Sequence, residues 1–126
     1  MPFYQFTVPA GSATAQKKAE VAAAVTAAHA EITGAPREYV NCSFTELPPG
    51  SIFAGGSPVD GGRMVGIIRQ GRSEDVKRKL VTALADAWVS VTGERVEDIA
   101  LFVHEVPGYQ VMEYGRLLPE ASEDQR

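Results

Sequence analysis

The sequence has few of the residues that cross-link a chain or bind metals. Its 126 residues include one cysteine, Cys42, which excludes an internal disulfide and fits a reducing compartment. Cys42 lies in a predicted strand and is interpreted as a small buried residue. The two histidines, His29 and His104, do not stand at metal-ligand spacing with the scattered acids, so neither a metal nor another cofactor is expected.

Long apolar runs and an excess of one charge are also missing. The first residues lack the basic and apolar stretches of a signal peptide, and no run approaches the length of a membrane span. A net charge of −4 gives no sign of a nucleic-acid or membrane partner. With 44% apolar and 22% charged residues, we expect a cytoplasmic protein with a single domain over residues 1–126.

The chain does contain an internal repeat. Gly34 and Gly93 each end an apolar helical pattern, and at this spacing of 59 residues Glu46-Leu47-Pro48 aligns with Glu105-Val106-Pro107 without a gap. We interpret residues 2–48 and about 61–107 as two copies of one strand–helix–strand unit, joined by a glycine-rich connector.

Periodicity and turn residues predict the elements of each unit. Strands rich in β-branched and aromatic residues are predicted at 3–8, 39–46, 63–69 and 98–105. One helix is expected to begin at Ser12 or Thr14 and the other at Ser73, and glycines end both. The polar tail, residues 119–126, is expected to be flexible.

Two such units predict an α+β, two-layer fold with a four-stranded mixed sheet. Right-handed crossovers place both helices on one face, with the strands parallel within each unit. The third and fourth strands nevertheless carry apolar residues at consecutive positions, as strands buried on both faces do. We therefore expect another copy of the chain to cover the second face.

The amino-terminal dipeptide Met1-Pro2 is a candidate catalytic feature. Met1 precedes a small residue and is expected to be removed, which leaves Pro2 with a free secondary amine. An α-amine has a pKa near 8, and burial or nearby cations lower it toward the working pH of a proton-transfer catalyst. The alternative is a proline that merely opens an edge strand.

Arg69 and Arg72 stand three residues apart, between a strand and a helix cap. Guanidinium groups bind carboxylates in a bidentate manner, and the start of a helix adds N–H donors. The pair is therefore a candidate site for a small carboxylic acid. The alternative is two solvated arginines that flank a turn.

Three further residues are candidates on weaker grounds. His29 lies beside the apolar stripe of the first helix, and the repeat pairs it with Trp88, so its role is either binding or structural. Glu113 follows a Pro-Gly turn, where a carboxylate can activate water or pair with a neighbouring subunit. Phe102 in the fourth strand is interpreted as core or pocket lining.

In this order, these features resemble the tautomerase superfamily, and within it the branch typified by cis-3-chloroacrylic acid dehalogenase. The resemblance rests on Pro2, the doubled unit, His29, the Arg69-Gln70-Gly71-Arg72-Ser73 motif and Glu113-Tyr114-Gly115-Arg116, and it extends to about Pro119. It implies a homotrimer in which Pro2 is the catalytic base or acid. It further implies that His29, Arg69 and Arg72 bind the substrate carboxylate and that Glu113 helps to activate water.

Phe102 departs from the dehalogenase pattern, which has a tyrosine that shares the water-activating role. Phenylalanine keeps the ring but removes the hydroxyl, and Tyr109 or Tyr114 is left to compensate. We therefore expect keto–enol tautomerisation of small 2-oxo acids such as phenylenolpyruvate. Dehalogenation or hydration of 3-haloacrylates or acetylenic acids is expected to be weak.

Two alternatives remain open. One is a dehalogenase, hydratase or decarboxylase of a small unsaturated acid. The other is a non-catalytic, cytokine-like binding module, because Thr33-Gly34, Tyr39-Val40 and the Phe53–Ser57 loop resemble the macrophage migration inhibitory factor branch.

Overall fold

The structure, a computed structural model, describes residues 1–123 and contains two strand–helix–strand units. Its strands and helices are, in chain order, β1 (Phe3–Pro9), α1 (Ala13–Gln16), α2 (Lys18–Thr33), β2 (Asn41–Leu47), β3 (Phe53–Ala54), β4 (Ser57–Pro58), β5 (Arg63–Arg69), α3 (Glu74–Thr92), β6 (Ala100–Val106), β7 (Met112–Glu113) and β8 (Arg116–Leu117). Over these 123 residues, none of the helices combines the length and apolarity that crossing a membrane requires.

The four long strands form one mixed sheet in the order β2–β1–β5–β6. β1 pairs with β2 and β5 with β6 in parallel, and the two units meet along the antiparallel β1–β5 pair. Both long helices pack on one face of this sheet. The core between them contains Tyr4, Phe6, Val8, Val21, Val25, Met64, Ile68, Leu80, Leu84, Trp88 and Ile99. The predicted α+β fold is therefore confirmed.

The other face of the sheet is open within residues 1–123. Side chains alternate along β6, so Leu101 and Val103 pack toward the core while Phe102 lies on the open face, 56% exposed. Val65 and Ile67 of β5 lie on the same face and are half-buried. An apolar sheet face without a covering layer is typical of a surface that a further subunit covers.

The helix ends follow the predicted signals. The Ser73 hydroxyl accepts a hydrogen bond from the Val76 backbone N–H at 3.2 Å, which caps α3. Gly34 ends α2 with a φ of 75°, and Gly93 ends α3 with a φ of 73°. Because side chains disfavour this left-handed region, glycine is the residue expected at both positions.

The start of the first helix differs from the prediction. The backbone leaves helical geometry at Lys17, where φ is −126°, so Ser12 caps only the short α1. Thr14 is fully buried rather than a cap. Its hydroxyl accepts from Trp88 Nε1 at 2.8 Å and donates to a Glu94 oxygen at 2.5 Å. These hydrogen bonds satisfy the buried Thr14 hydroxyl and the buried ring N–H of Trp88 at the edge of the sheet where β1 ends.

The two units differ where their first strands begin. The carbonyl oxygen of Pro2 accepts a hydrogen bond from the first residue of β2 at 3.0 Å, and that of Gly62 accepts one from the first residue of β6 at 3.3 Å. Gly62 is buried, and a Cβ there would lie 3.1 Å from Trp88 Cζ2. The second unit thus places a glycine and a tryptophan where the first has Pro2 and His29.

The tail is held against the turn that follows β5. The Ala121 backbone N–H donates to the Gln70 carbonyl at 2.8 Å. Gly71 permits this contact, because a Cβ at that position would lie 2.5 Å from the Ser122 nitrogen. The tail thus contacts the rest of the chain at residues 121 and 122, its flexibility stays a prediction, and the last three residues lie outside the described part of the chain.

Gly71→Ala is expected to lower the free energy of unfolding by about 2–4 kcal/mol. Gly71 has a φ of +117°, and the added methyl group would meet the backbone of Ser122. The matched control is Gly50→Ala, which has a φ of +82° but no atom within 4 Å of the added carbon, so it introduces backbone strain alone. Urea denaturation measures both losses, and equal losses would mean that the tail contact contributes nothing.

Candidate active site

One edge of the sheet gathers the predicted site residues. In the antiparallel β1–β5 pair, Phe3 lies opposite Ile67, so the first residue of the chain is level with Arg69 at the end of β5. The C-terminal half of α2 brings His29 to the same edge, where its ring contacts Tyr4. The parallel pairing of β1 with β2 also places the start of β2 here.

The amino terminus is partly buried among polar groups. The Met1 amine donates to the Tyr39 carbonyl at 2.7 Å and contacts a carboxylate oxygen of Glu113. Burial first, and the charge of Arg69 second, lower the pKa of this amine from its usual 8.0 to about 5. Pro2 is buried, and its nitrogen is an amide while Met1 is attached.

Two hydrogen bonds fix the position of Glu113 beside this amine, one to its own carboxylate and one from the hairpin that carries it. Asn41 Nδ2 donates to Glu113 Oε2 at 2.9 Å. The β7–β8 hairpin that carries Glu113 turns at Tyr114 and Gly115, which have φ values of 52° and 75°. The Tyr114 hydroxyl donates to the Glu38 carbonyl at 2.5 Å and so attaches the hairpin to the segment before β2. Tyr114 is otherwise exposed.

The two arginines reach the same cluster from the end of β5. Arg69 is only 7% exposed, and its Nη1 donates to the Pro119 carbonyl at 2.7 Å. Arg72 Nη1 donates to the Arg69 carbonyl at 3.3 Å. The positive charge of Arg72 acts on both Tyr4 and His29. The interpretation of both arginines as solvated surface residues therefore does not fit Arg69.

His29 is fully buried, and its two ring nitrogens have different surroundings. Nδ1 lies 2.7 Å from the Tyr4 hydroxyl, and the two rings meet edge to face with centroids 5.7 Å apart. Nε2 has no hydrogen-bond partner among residues 1–123. Burial, followed by the charges of Arg72, the amino terminus and Arg69, lowers the pKa of His29 to about 3. The imidazole is therefore neutral near pH 7.

This burial predicts a specific dependence of stability on pH. Between pH 6.5 and 3 the unfolded chain binds a proton at His29 that the folded chain does not, so the stabilisation present above pH 6.5 is lost as the pH falls through this range. In His29→Gln this part of the loss should disappear. Denaturant unfolding of both proteins from pH 7 to 4 measures the difference, and parallel curves would contradict a neutral buried imidazole.

Phe102 lies apart from the cluster within its own chain. It pairs with Val65, four residues before Arg69 on β5, which corresponds to about 13 Å along the strand. Its side chain is on the open face of the sheet. The chain thus brings together Pro2, His29, Arg69, Arg72 and Glu113, but not Phe102.

Sequence reasoning missed Tyr4, Tyr39 and Asn41. Tyr4 alternates with Phe6 and Val8 along β1, a pattern that indicates only a core position. Asn41 is a polar residue at the start of a strand, and Tyr39 belongs to a short turn before it. Neither pattern indicates that Asn41 contacts Glu113, 72 residues further along the chain.

Comparison with known proteins gives one family and several similar structures. Residues 1–126 match the family model Tautomerase_3, described as "Putative oxalocrotonate tautomerase enzyme". The crystal structure of N1, a member of the cis-3-chloroacrylic acid dehalogenase (cis-CaaD) family, is 30% identical, with 96% of this chain and 86% of that chain covered and a TM-score of 0.89.

Two further structures are similar over most of both chains. Native fused 4-OT is 29% identical, with 91% of this chain and 94% of that chain covered and a TM-score of 0.80. The R7 fused 4-OT wild-type asymmetric trimer is 26% identical, with the same coverage and a TM-score of 0.80. Curated protein sequences gave no match.

Proposed function

The chain belongs to the tautomerase superfamily, and on this premise we propose that it is a keto–enol tautomerase of small 2-oxo acids such as phenylenolpyruvate. The observation that carries the proposal is the position of the amino terminus, which is partly buried beside Arg69 and Glu113. A base in such a place remains largely unprotonated at neutral pH and is ready to accept a proton.

The proposed mechanism begins with removal of Met1, which leaves Pro2 with a secondary amine in these surroundings. Burial and Arg69 lower the pKa of this amine below that of an ordinary α-amine. The neutral amine takes the proton of the enol hydroxyl, and the resulting ammonium donates a proton to C3 as the C2 oxygen becomes a ketone. The amine ends the cycle neutral, so no other acid or base is required.

Arg69 and Arg72 are proposed to bind the carboxylate of the 2-oxo acid, and His29 to donate a further hydrogen bond. Guanidinium groups form strong charge-assisted bonds to carboxylates. The three side chains lie within electrostatic reach of one another, since both arginines affect the pKa of His29. A carboxylate bound there also offsets the positive charge that the arginines bring to the edge of the sheet.

A homotrimer is proposed as the assembled form. The open sheet face with the exposed Phe102 supports contact with other subunits, and one similar protein is a fused 4-OT trimer. Because Phe102 lies about 13 Å along the strand from its own Arg69, we infer that it lines the site of a neighbouring subunit, as a pocket residue. Tyr114, which is also exposed, is the second pocket residue.

A second activity, hydration or dehalogenation of 3-haloacrylates or acetylenic acids, is favoured by one observation. Asn41 holds Glu113 beside the amine, where a carboxylate can orient water for attack on an unsaturated acid. The absence of a hydroxyl at Phe102 supports a low rate for this reaction. Product analysis with acetylenecarboxylates separates hydration and decarboxylation from tautomerisation.

A non-catalytic binding module on the same fold predicts a different amine. This proposal is favoured if the Pro2 amine titrates like that of an ordinary peptide, because such an amine is mostly protonated at neutral pH and is a poor proton acceptor. NMR titration of the mature protein, with Pro2 labelled with nitrogen-15, therefore decides between the enzymatic and the non-catalytic proposals.

Arg72→Ala tests carboxylate binding. We expect KM for phenylenolpyruvate to rise about 10- to 100-fold, since a charge-assisted hydrogen bond contributes about 1.5–3 kcal/mol. The matched control is Arg78→Ala, which removes an exposed arginine that pairs with Glu74 on the surface of α3. Steady-state assays of enol disappearance measure both variants. Equal kinetics in the two variants, or no turnover by the wild type, would contradict the proposal.

A further inference from the structure

We propose that Tyr4 is a positioning residue that fixes His29 in the tautomer with its proton on Nε2, so that His29 presents a neutral hydrogen-bond donor to the substrate carboxylate. The inference rests on the proposed function, because it concerns how that site receives an anion. Tyr4 itself is not proposed to touch the substrate.

The contact between the two side chains determines where the proton lies. The Tyr4 hydroxyl and His29 Nδ1 are 2.7 Å apart, and both residues are fully buried. If the hydroxyl donates to Nδ1, both groups are satisfied and the ring proton lies on Nε2. If Nδ1 donates instead, the tyrosine proton has no acceptor among residues 1–123, and leaving a buried donor unpaired is unfavourable.

The remaining nitrogen of His29 is suited to a ligand. Nε2 is buried and has no hydrogen-bond partner among the described residues. Arg72 and Arg69 both act on this ring, and both are cationic. A cationic imidazole is therefore disfavoured, and an Nε2–H donor adds a directed bond to a carboxylate without adding a further positive charge.

Gly66 provides the space that the Tyr4 ring needs. The two residues lie opposite each other in the β1–β5 pair. A Cβ at Gly66 would lie 2.6 Å from Tyr4 Cδ1 and Cε1, closer than the ring tolerates. Glycine weakens a strand interior, so its presence here is consistent with a close approach that must be kept open. Gly66 thus adjoins the ring of Tyr4, and Tyr4 in turn contacts His29 in the candidate site.

The test is nitrogen-15 NMR of the His29 ring in the unliganded protein, together with steady-state kinetics. In the wild type we expect a protonated Nε2 and an unprotonated Nδ1. In Tyr4→Phe the two nitrogens should move toward an averaged tautomer mixture, and kcat/KM for phenylenolpyruvate should fall about 10-fold, as the loss of one oriented hydrogen bond predicts. Gly66→Ala, which displaces the ring, should change the His29 signals in the same direction.

Thr14→Val is the matched control, because it removes an equally buried hydroxyl that lies in α1, which follows β1 in the chain. It should lower stability but leave the His29 tautomer and kcat/KM unchanged. A proton on Nδ1 in the wild type, or an unchanged tautomer in Tyr4→Phe, would overturn the inference even in an active enzyme. Inactivity of the wild type with the expected tautomer behaviour would instead overturn the proposed function.

Discussion

Pro2→Ala is expected to lower kcat/KM for phenylenolpyruvate about 10²-fold, the size of loss that a misplaced reacting group causes. Alanine is small, so Met1 is still removed and an amine remains at the same place. The proline ring fixes the direction of the nitrogen lone pair, whereas the alanine amine rotates freely. The variant therefore keeps the amine, Arg69 and Glu113 but loses the orientation of the proton acceptor.

The control keeps Pro2 but changes its nitrogen from a free amine to an amide. Protein in which an upstream residue remains attached has an amide at Pro2 and should show almost no turnover, whereas cleavage directly before Pro2 should restore it. Intact mass identifies each form. If both forms react at the same rate, the proton shuttle is not the Pro2 nitrogen.

The pH dependence of the mature enzyme provides a second readout of the same group. The free amine must be neutral to accept the enol proton, so kcat/KM rises with pH through its pKa. Burial and Arg69 lower this pKa, as they do for the amine of the unprocessed chain, which they bring to about 5. The acidic limb of the profile should therefore lie below the pKa of 8 that an ordinary α-amine has.

Phe102→Tyr is expected to raise the hydration of acetylenic acids, or the dehalogenation of 3-haloacrylates, about 10²-fold, the size of effect that one well-placed donor has on a rate. In the wild type Glu113, fixed by Asn41, is the group proposed to hold the water. The added hydroxyl would supply a second contact across the subunit boundary. Tautomerisation, which needs no water, should change little.

The control for this gain is Phe53→Tyr. Phe53 lies on the β3–β4 hairpin and is 58% exposed, compared with 56% for Phe102. The substitution therefore adds a hydroxyl in a similarly exposed position. Neither substitution buries a new polar group within one chain, and both variants should fold normally. An equal effect on hydration in both variants, or no gain in Phe102→Tyr, would contradict a role of position 102 in binding water.

The bounds of strands and helices were predicted best from the sequence where one local feature determines them. The bounds of β5 were predicted correctly, because a short apolar run is flanked by glycines and arginines. The glycine ends of both long helices were predicted because a left-handed residue is required there. The break at Lys17 was missed, because the burial of Thr14 depends on Trp88, a residue of the other unit.

In the candidate site, too, residues of one local motif were found from the sequence, whereas contacts between distant residues were not. Arg69 and Arg72 belong to one short motif and were found from it. The contacts of Asn41 with Glu113 and of Tyr4 with His29 join residues 72 and 25 positions apart, and they exist only when the sheet has formed. Asn41 and Tyr4 have side chains that are ordinary in a strand. Only the packing of the chain shows that they adjoin Glu113 and His29 of the candidate site.

The difference between the two units determines how many catalytic centres an assembly can contain. The second unit has the amide nitrogen of Gly62 in place of an amino terminus, and Trp88 in place of His29. A duplicated chain has two scaffolds but only one free terminus, so a trimer of six units would hold three centres. The second unit is thereby released from the requirement for an amine, and its Arg69 and Arg72 instead extend toward the amino terminus and His29 of the first unit.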